Sequence, residues 1–211
     1  VNDSTETSGR SRRARLSPEQ RRESILAAAT EVFAATGYRA GKVRDVADRI
    51  GVSEPVIFQN FGSKAALFTA VLDRALATVE STLSAMADQA GSVSESLAEA
   101  LSPGHVEALH APGSLGMLFA DAAALTDEPG VADAARRAVQ RMAAMLTGLL
   151  RRGQEDGDIR PDLDPGTGAW WILSLLSARR FRTAVLGDGH GMEADLTALT
   201  LRTLTGRPPP P

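Results

Sequence analysis

The chain has 211 residues, 43% of them hydrophobic, with no cysteine and a formal net charge of −3. That rules out a disulfide frame, a thiolate nucleophile and a Cys-based zinc site, while leaving room for one large helical domain or a small domain joined to a larger one. The longest apolar run, Ala169 to Leu176, is far short of the roughly 20 residues that span a bilayer, and the polar start VNDSTETSGR lacks the apolar core of a secretion signal, so a cytoplasmic protein with no membrane partner is expected.

Residues 1–16 are rich in Ser, Thr and Gly and end in Arg10, Arg12, Arg13 and Arg15, which predicts a disordered basic arm able to lie along DNA or to remain a solvated tail. Ser17-Pro18-Glu19-Gln20 then reads as a capping box with proline in the first helical turn. The helix it opens buries Ile25, Leu26, Ala29, Val32 and Phe33, ends at Gly37, and is followed by Tyr38 as an aromatic plug. Next comes VRDVADRIGVSEPVIFQNF, residues 43–61, in which Val43, Val46, Ala47 and Ile50 recur at helical spacing. Gly51 breaks that helix, Ser53 is placed to cap the next, and Pro55 falls within its first turn. Two short helices meeting at a glycine fit a helix-turn-helix. In such a unit the N-terminal part of the second helix meets base edges, and here it leaves Glu54, Pro55, Gln59 and Asn60 exposed. Charge follows the same division, since residues 1–70 hold 11 Lys+Arg against 8 Asp+Glu and the remainder holds 12 against 18.

Gly62-Ser63-Lys64 predicts a helix end and a new start capped by Ser63. Phe68, Leu72, Ala75, Val79, Leu83 and Met86 then form the seam of a long helix. Beyond Gly91 the spacing predicts a short helix to Leu101, a turn at Pro103-Gly104, and a helix from Ser114 to Leu125. A long helix marked by Val131, Ala135, Ala138, Met142, Met145 and Leu149 follows and closes between Gly153 and Gly157. Asp164 and Pro165 open another, in which Trp170, Trp171, Ile172, Leu173, Leu175 and Leu176 leave hardly any polar face. It should be buried on more than one side, within the domain or against a second copy. A last helix covers roughly Glu193 to Leu204, and the proline-rich residues 206–211 form a disordered tail. No strand pattern appears, so the fold class is all-α.

The capped first helix, the stretch VRDVADRIGVSEPVIFQNF, the following GSKAALFTAVL and an all-helical remainder together resemble the TetR family of bacterial transcriptional regulators. The motif resemblance covers about residues 18–72. It implies a three-helix DNA-binding domain at 17–62 and a helical effector-binding and dimerisation domain at 63–205. The partners implied are a palindromic double-stranded operator, a second copy of the chain and a small-molecule effector, with no cofactor and no metal. Carried over by position, Lys42, Arg44 and Lys64 meet phosphates, Ser53 caps the reading helix, and Glu54, Pro55, Gln59 and Asn60 face bases or backbone. The chain departs from its relatives in having Gly41-Lys42 for a Thr or Ser pair, Phe58 for a tyrosine and Asn60 for a frequent histidine. Phe58 keeps the aromatic packing role but has no O–H to offer a phosphate.

The resemblance also implies an effector pocket and a dimer interface in the second domain. Candidates are Met86, Met117, Phe119, Met142, Met145 and Trp170 for the pocket and Trp171, Leu175 and Leu199 for the interface, with ordinary core as the alternative for each. The expected function is a ligand-responsive, sequence-specific repressor released from its operator by a small molecule. A helical protein-interaction module, or an activator without an effector, is the alternative. An enzyme is not expected: His105 and His110 lack the spacing that puts two metal ligands on one helix face, His190 stands apart, and the loop acids Asp158, Asp162 and Asp164 lack the glycine and terminal glutamate of a calcium loop.

Overall fold

Ser17 opens the first helix as its sequence dictates: its hydroxyl accepts the Gln20 amide at 3.2 Å while the Gln20 side chain accepts the Ser17 amide at 2.9 Å. The computed structural model describes residues 16–125, 127–187 and 190–206, and among them every regular element is a helix. The expected basic arm with its arginines, and the expected tail beyond Gly206, lie outside the described residues.

Helix α1 (Pro18–Ala40) is broken at Gly37, whose φ of 75° and ψ of 173° fall in a region open essentially to glycine alone. Then come α2 (Val43–Ile50), α3 (Glu54–Phe61) and the long α4 (Lys64–Gln89), the last capped by Ser63 accepting the Ala66 amide at 3.0 Å. Apolar side chains at helical spacing drive these four together. Ile25, Ala29 and Phe33 of α1 meet Val46 of α2, Ile57 of α3, and Phe68 and Leu72 of α4 in one buried cluster. Phe33 and Phe68 pack edge to face at 5.2 Å, and the buried Tyr38 leans on both.

The remaining helices are α5 (Val93–Ala100), α6 (Pro103–His110), α7 (Leu115–Ala124), α8 (Pro129–Glu155), α9 (Pro165–Ser177), α10 (Arg179–Leu186) and α11 (His190–Thr205). Leu118 and Ala122 of α7 and Val131, Ala134 and Ala135 of α8 join the first cluster, so that core runs across the expected domain boundary at residue 62/63. A second core gathers Leu97 of α5, Leu146 and Leu150 of α8, Ile172 of α9, and Leu201 and Leu204 of α11.

Two expectations change and a third narrows. Pro103-Gly104 is not a turn but the start of α6, because Ser102 caps the His105 amide at 3.3 Å and proline at the first helical position lacks only an N–H that would have no partner there. Helix α10 was not expected at all. It follows Ala178 with no side-chain cap, and its apolar Phe181 and Val185 point to solvent rather than marking a buried stripe. Helix α9 is buried within its own domain on one face, through Ala169 and Ile172, while Trp170 and Trp171 stay 51% and 48% exposed, so of the two expected ways to bury its other side only a second copy remains.

Candidate nucleic-acid interface and interhelical cavity

Gly51 joins α2 to α3 with φ 69° and ψ 40°, the left-handed geometry that lets the chain turn sharply after a helix. The Val52 amide returns to the Ala47 carbonyl at 3.0 Å, closing the end of α2. On α3 this orientation turns Ile57 and Phe61 inward and leaves Pro55, Phe58 and Gln59 exposed. Gln59 has no side-chain partner among the described residues, so its amide is free to meet another molecule. Glu54 is half-buried at the first turn.

Three of the expected residues behave differently from their reading. Ser53 occupies the N-cap position with extended backbone, yet its hydroxyl makes no capping bond; the Ser53 carbonyl accepts the Val56 amide at 3.0 Å instead. Asn60 is half-buried rather than exposed, because its side-chain amide donates to the Val56 carbonyl at 2.7 Å. Phe58 does not pack inward: it is 41% exposed on the outer face of α3.

The cations around α3 divide into free and tethered. Lys42 is exposed at the head of α2, and Arg44 faces solvent with only Asp48, 3.7 Å away and four residues on, as a loose partner. Lys64 is drawn inward. Its ammonium lies 4.7 Å from the Tyr38 ring centroid and 3.4 Å from the Arg39 carbonyl, and burial holds it below the ordinary lysine pKa against the pull of Glu128 and Asp121. Arg22, which the sequence did not single out, donates to the Asn60 carbonyl at 2.7 Å and lies 4.0 Å above the Phe61 ring, fastening the end of α3 to α1. Arg49 pairs with Glu31 at 2.5 Å, doing the same for α2. Gly41, where the resemblance leads one to expect a hydroxyl residue, sits against Phe33; a Cβ there would come within 2.7 Å of the ring.

A cavity of about 880 Å³ opens between α4 and α10, walled also by α5 to α9. It falls within the roughly 300–1,000 Å³ that small-molecule pockets occupy. Met86, Phe119, Met142 and Trp170 line it. Met117 and Met145 do not, because the α7 wall is made by Gly116, Phe119, Ala120 and Ala123 and the α8 wall by Val139, Met142, Leu146 and Leu149, and each methionine stands one residue off its stripe. Three residues with basic side chains, His105, His110 and Arg180, also reach the cavity. The two histidines lie beyond Pro103-Gly104, in a stretch to Pro112 for which the sequence assigns no element, so their facing cannot be read from it.

The end of α1 is bonded to a wall of that cavity. The Tyr38 amide donates to Asp121 of α7 at 2.6 Å, the Gly113 amide donates to the Ala34 carbonyl at 3.2 Å, and Arg39 pairs with Asp127 at 2.7 Å. Among the described residues no group of His, Asp and Glu is arranged to hold a metal. The loop acids have protein partners: Asp158 accepts from Ser94 at 2.5 and 2.7 Å, Asp162 from Arg160 at 2.6 Å, and Asp164 caps α9 through Thr167 at 2.8 Å. No helix among the described residues is long and apolar enough to cross a membrane.

Two family models match the chain. Residues 25–71 fit the bacterial regulatory proteins of the tetR family, and residues 117–199 fit the tetracyclin repressor-like C-terminal domain. The HTH-type transcriptional activator FasR of Mycolicibacterium smegmatis is 48% identical over 66 residues, 31% of this chain and 30% of that one, so the chain spans under a third of its length. The HTH-type transcriptional repressor KstR2 of the same organism is 29% identical over 147 residues, 70% of this chain and 71% of that one. The transcriptional regulator FadR of Bacillus subtilis, solved in complex with stearoyl-CoA, shares the fold with a TM-score of 0.67 at 18% identity, covering 86% of this chain and 98% of that one. With a glycine-turned helix pair on a helical body and both family models matched, the chain belongs to the TetR family of DNA-binding transcriptional regulators rather than to any class of enzyme.

Proposed function

We propose that this regulator is a cytoplasmic repressor that binds a palindromic operator as a homodimer and is released by a small molecule. The observation that carries the reading is the bond between Tyr38 and Asp121, since it ties the end of α1 to a helix that walls the cavity. A ligand that fits the cavity better when α7 is displaced shifts the α1–α4 head by the difference in its affinity for the two forms. The head, residues 17–62, does the reading, and residues 63–205 hold the effector and the partner copy.

In the complex, Lys42 and Arg44 neutralise phosphates from the exposed start of α2. Lys64 adds to them if its ammonium leaves the Tyr38 ring, and the uncommitted Ser53 hydroxyl is a further donor to phosphate. Pro55, Phe58 and Gln59 meet the groove, with Glu54 at the helix start; Asn60 holds the shape of α3. The dimer forms on α9, α10 and α11, where Trp170, Trp171, Phe181, Val185, Leu186, Met192 and Leu199 leave large apolar side chains exposed, with Leu175 half-buried among them. Twofold pairing through that face sets two α3 helices about 34–36 Å apart, one turn of DNA.

Activation is a second reading, because 66 residues of the chain align at 48% identity with FasR, which is named an activator. Selecting bound duplexes from a random pool, then measuring retardation over a salt series, tests the common part: affinity must fall steeply with salt and the recovered sites must be inverted repeats. Sites without twofold symmetry would overturn the dimeric reading, and a reporter placed downstream of a recovered site separates repression from activation.

A further inference from the structure

The cavity's titratable side chains are of one kind. Among its described lining residues none is acidic, whereas His105, His110 and Arg180 are all basic. The hydroxyls in the wall are mostly spent within the protein: Thr78 donates to the Arg74 carbonyl at 3.1 Å, Thr82 to Thr78 at 2.9 Å, Ser96 to Ser92 at 3.1 Å and Ser114 to Leu109 at 2.6 Å. A sugar or other polyhydroxy ligand would therefore find few free donors. A cationic ligand would find no described carboxylate in the wall, and Arg180 opposing it.

The bases are available to an anion. Arg180 is exposed and has no hydrogen bond or ion pair among the described residues. His110 donates to the Val106 carbonyl through Nδ1 at 2.8 Å, so its Nε2 offers an N–H to an anion in the imidazolium form, and the unpaired Arg180 is the permanent cation of the set. The acid whose charge reaches His110, Glu193, is already neutralised by the Arg182 guanidinium, with both contacts at 2.8 Å, and Arg179 acts on it as well. Much of the remaining wall is apolar, from Met86 and Leu83 on α4 to Leu146 on α8 and Trp170 on α9.

Resting on the effector reading above, we infer that the cavity takes an amphipathic anion: a long apolar chain along α4 and α8, with a carboxylate-type head at His105, His110 and Arg180. An ionised acceptor paired with a guanidinium is roughly twice as strong as a neutral pair, and it is specific for charge sign. The test uses the full chain and its two tryptophans, one of which lines the cavity. Myristate, tetradecan-1-ol and tetradecyltrimethylammonium, each below its aggregation concentration, are titrated against tryptophan emission. Myristate should bind about tenfold more tightly than either competitor, the size expected for one charge-assisted pair. Arg180→Gln, at an exposed position, should remove most of that preference and leave the alcohol unchanged. Trp171→Phe should keep the signal with Trp170 as sole reporter; if that variant does not fold, Trp170→Phe should lose the signal.

Equal binding of the three probes, preference for the ammonium, binding of none, or a carboxylate preference untouched by Arg180→Gln together with His105→Gln and His110→Gln, would each overturn the inference. DNA retardation is read separately. A chain that retards its selected duplex but shows no preference for the anion loses this inference and keeps the regulator reading, whereas one that prefers myristate but retards no duplex does the reverse.

Discussion

The backbone amide of Tyr38 donates to the carboxylate of Asp121 at 2.6 Å, across 83 residues of sequence. The same carboxylate fills the space beside Gly37, where an added Cβ would come within 3.0 Å of Oδ1. A break in α1, a residue without a side chain and an acid on α7 thus form one joint between the head and the cavity wall. Asp121→Ala leaves a half-buried amide without its acceptor, which costs about 1–3 kcal/mol of stability. It should also reduce the shift in operator affinity caused by a cavity ligand, while leaving DNA affinity without ligand near wild type. Asp121→Asn keeps an acceptor oxygen and should fall between the two. Chemical denaturation and ligand-dependent retardation read the two effects; a full ligand response in Asp121→Ala would remove the joint from the coupling path.

Gly37→Ala tests the same joint from the other side. Alanine is strained at φ 75° and its methyl meets Asp121, so a loss of about 1–3 kcal/mol is expected, with no direct effect on any DNA-facing group. Combined with Asp121→Ala the loss should be less than the sum, because removing the carboxylate removes the steric part. Strict additivity in denaturation midpoints would contradict this.

Arg22 fastens the end of α3 to α1. Arg22→Ala removes both its bond to the Asn60 carbonyl and its stack on Phe61, and the loosened helix should bind every duplex less well, by about 1–2 kcal/mol. The dependence on salt should not change. Lys42→Ala and Arg44→Ala should behave in the opposite way, each lowering the slope of log affinity against log salt by about one as a phosphate contact is lost. A salt slope that falls with Arg22→Ala would place that guanidinium on a phosphate.

Much of this was legible in the residues, and what was missed has a physical cause. Capping at Ser17, Ser63 and Asp164 and the glycine turn at Gly51 are local chemistry, written in a few adjacent positions, and the helices they bound lie where the spacing places them. Arg22, Asp121 and the cavity bases are pairings between distant segments, for which one sequence carries no local signal. Met117 and Met145 show the limit of type without phase, since a methionine one residue off a helical stripe points elsewhere. Phe58 and the two tryptophans show a second limit. Apolar periodicity does not tell a side chain buried within the chain from one exposed on its surface.

Phe58→Tyr restores the hydroxyl that the resemblance leads one to expect. With the ring already exposed, the change should leave stability within about 0.5 kcal/mol. If the added O–H reaches a phosphate, affinity should rise on all duplexes alike by about 0.5–1.5 kcal/mol, the net value of one hydrogen bond. A gain confined to particular base sequences would instead make position 58 a base reader.

The pairing of Glu193 with Arg182 gives the body a pH signature. Both side chains are nearly buried, at 13% and 15% exposure, and Arg182 also donates to the Leu175 carbonyl at 3.0 Å, so one pair links α9, α10 and α11. Hydrogen bonds from Arg182 hold the Glu193 carboxyl below its ordinary pKa; burial opposes this, and the charges of Arg182, Arg179 and His110 reinforce it. Because the folded value is depressed, the stabilisation is complete above the ordinary glutamate value of about 4.3 and is lost as pH falls through the lower folded one. Glu193→Gln strands most of the guanidinium and should cost about 2–3 kcal/mol near neutral pH. Urea midpoints of wild type and Glu193→Gln should therefore differ throughout pH 8 to pH 5 and converge below about pH 4.3. Asp127, Asp162 and Asp164 also have lowered values, but they are common to both proteins and drop out of the difference. A gap that stays constant into acid would mean that the pair holds by shape and not by charge.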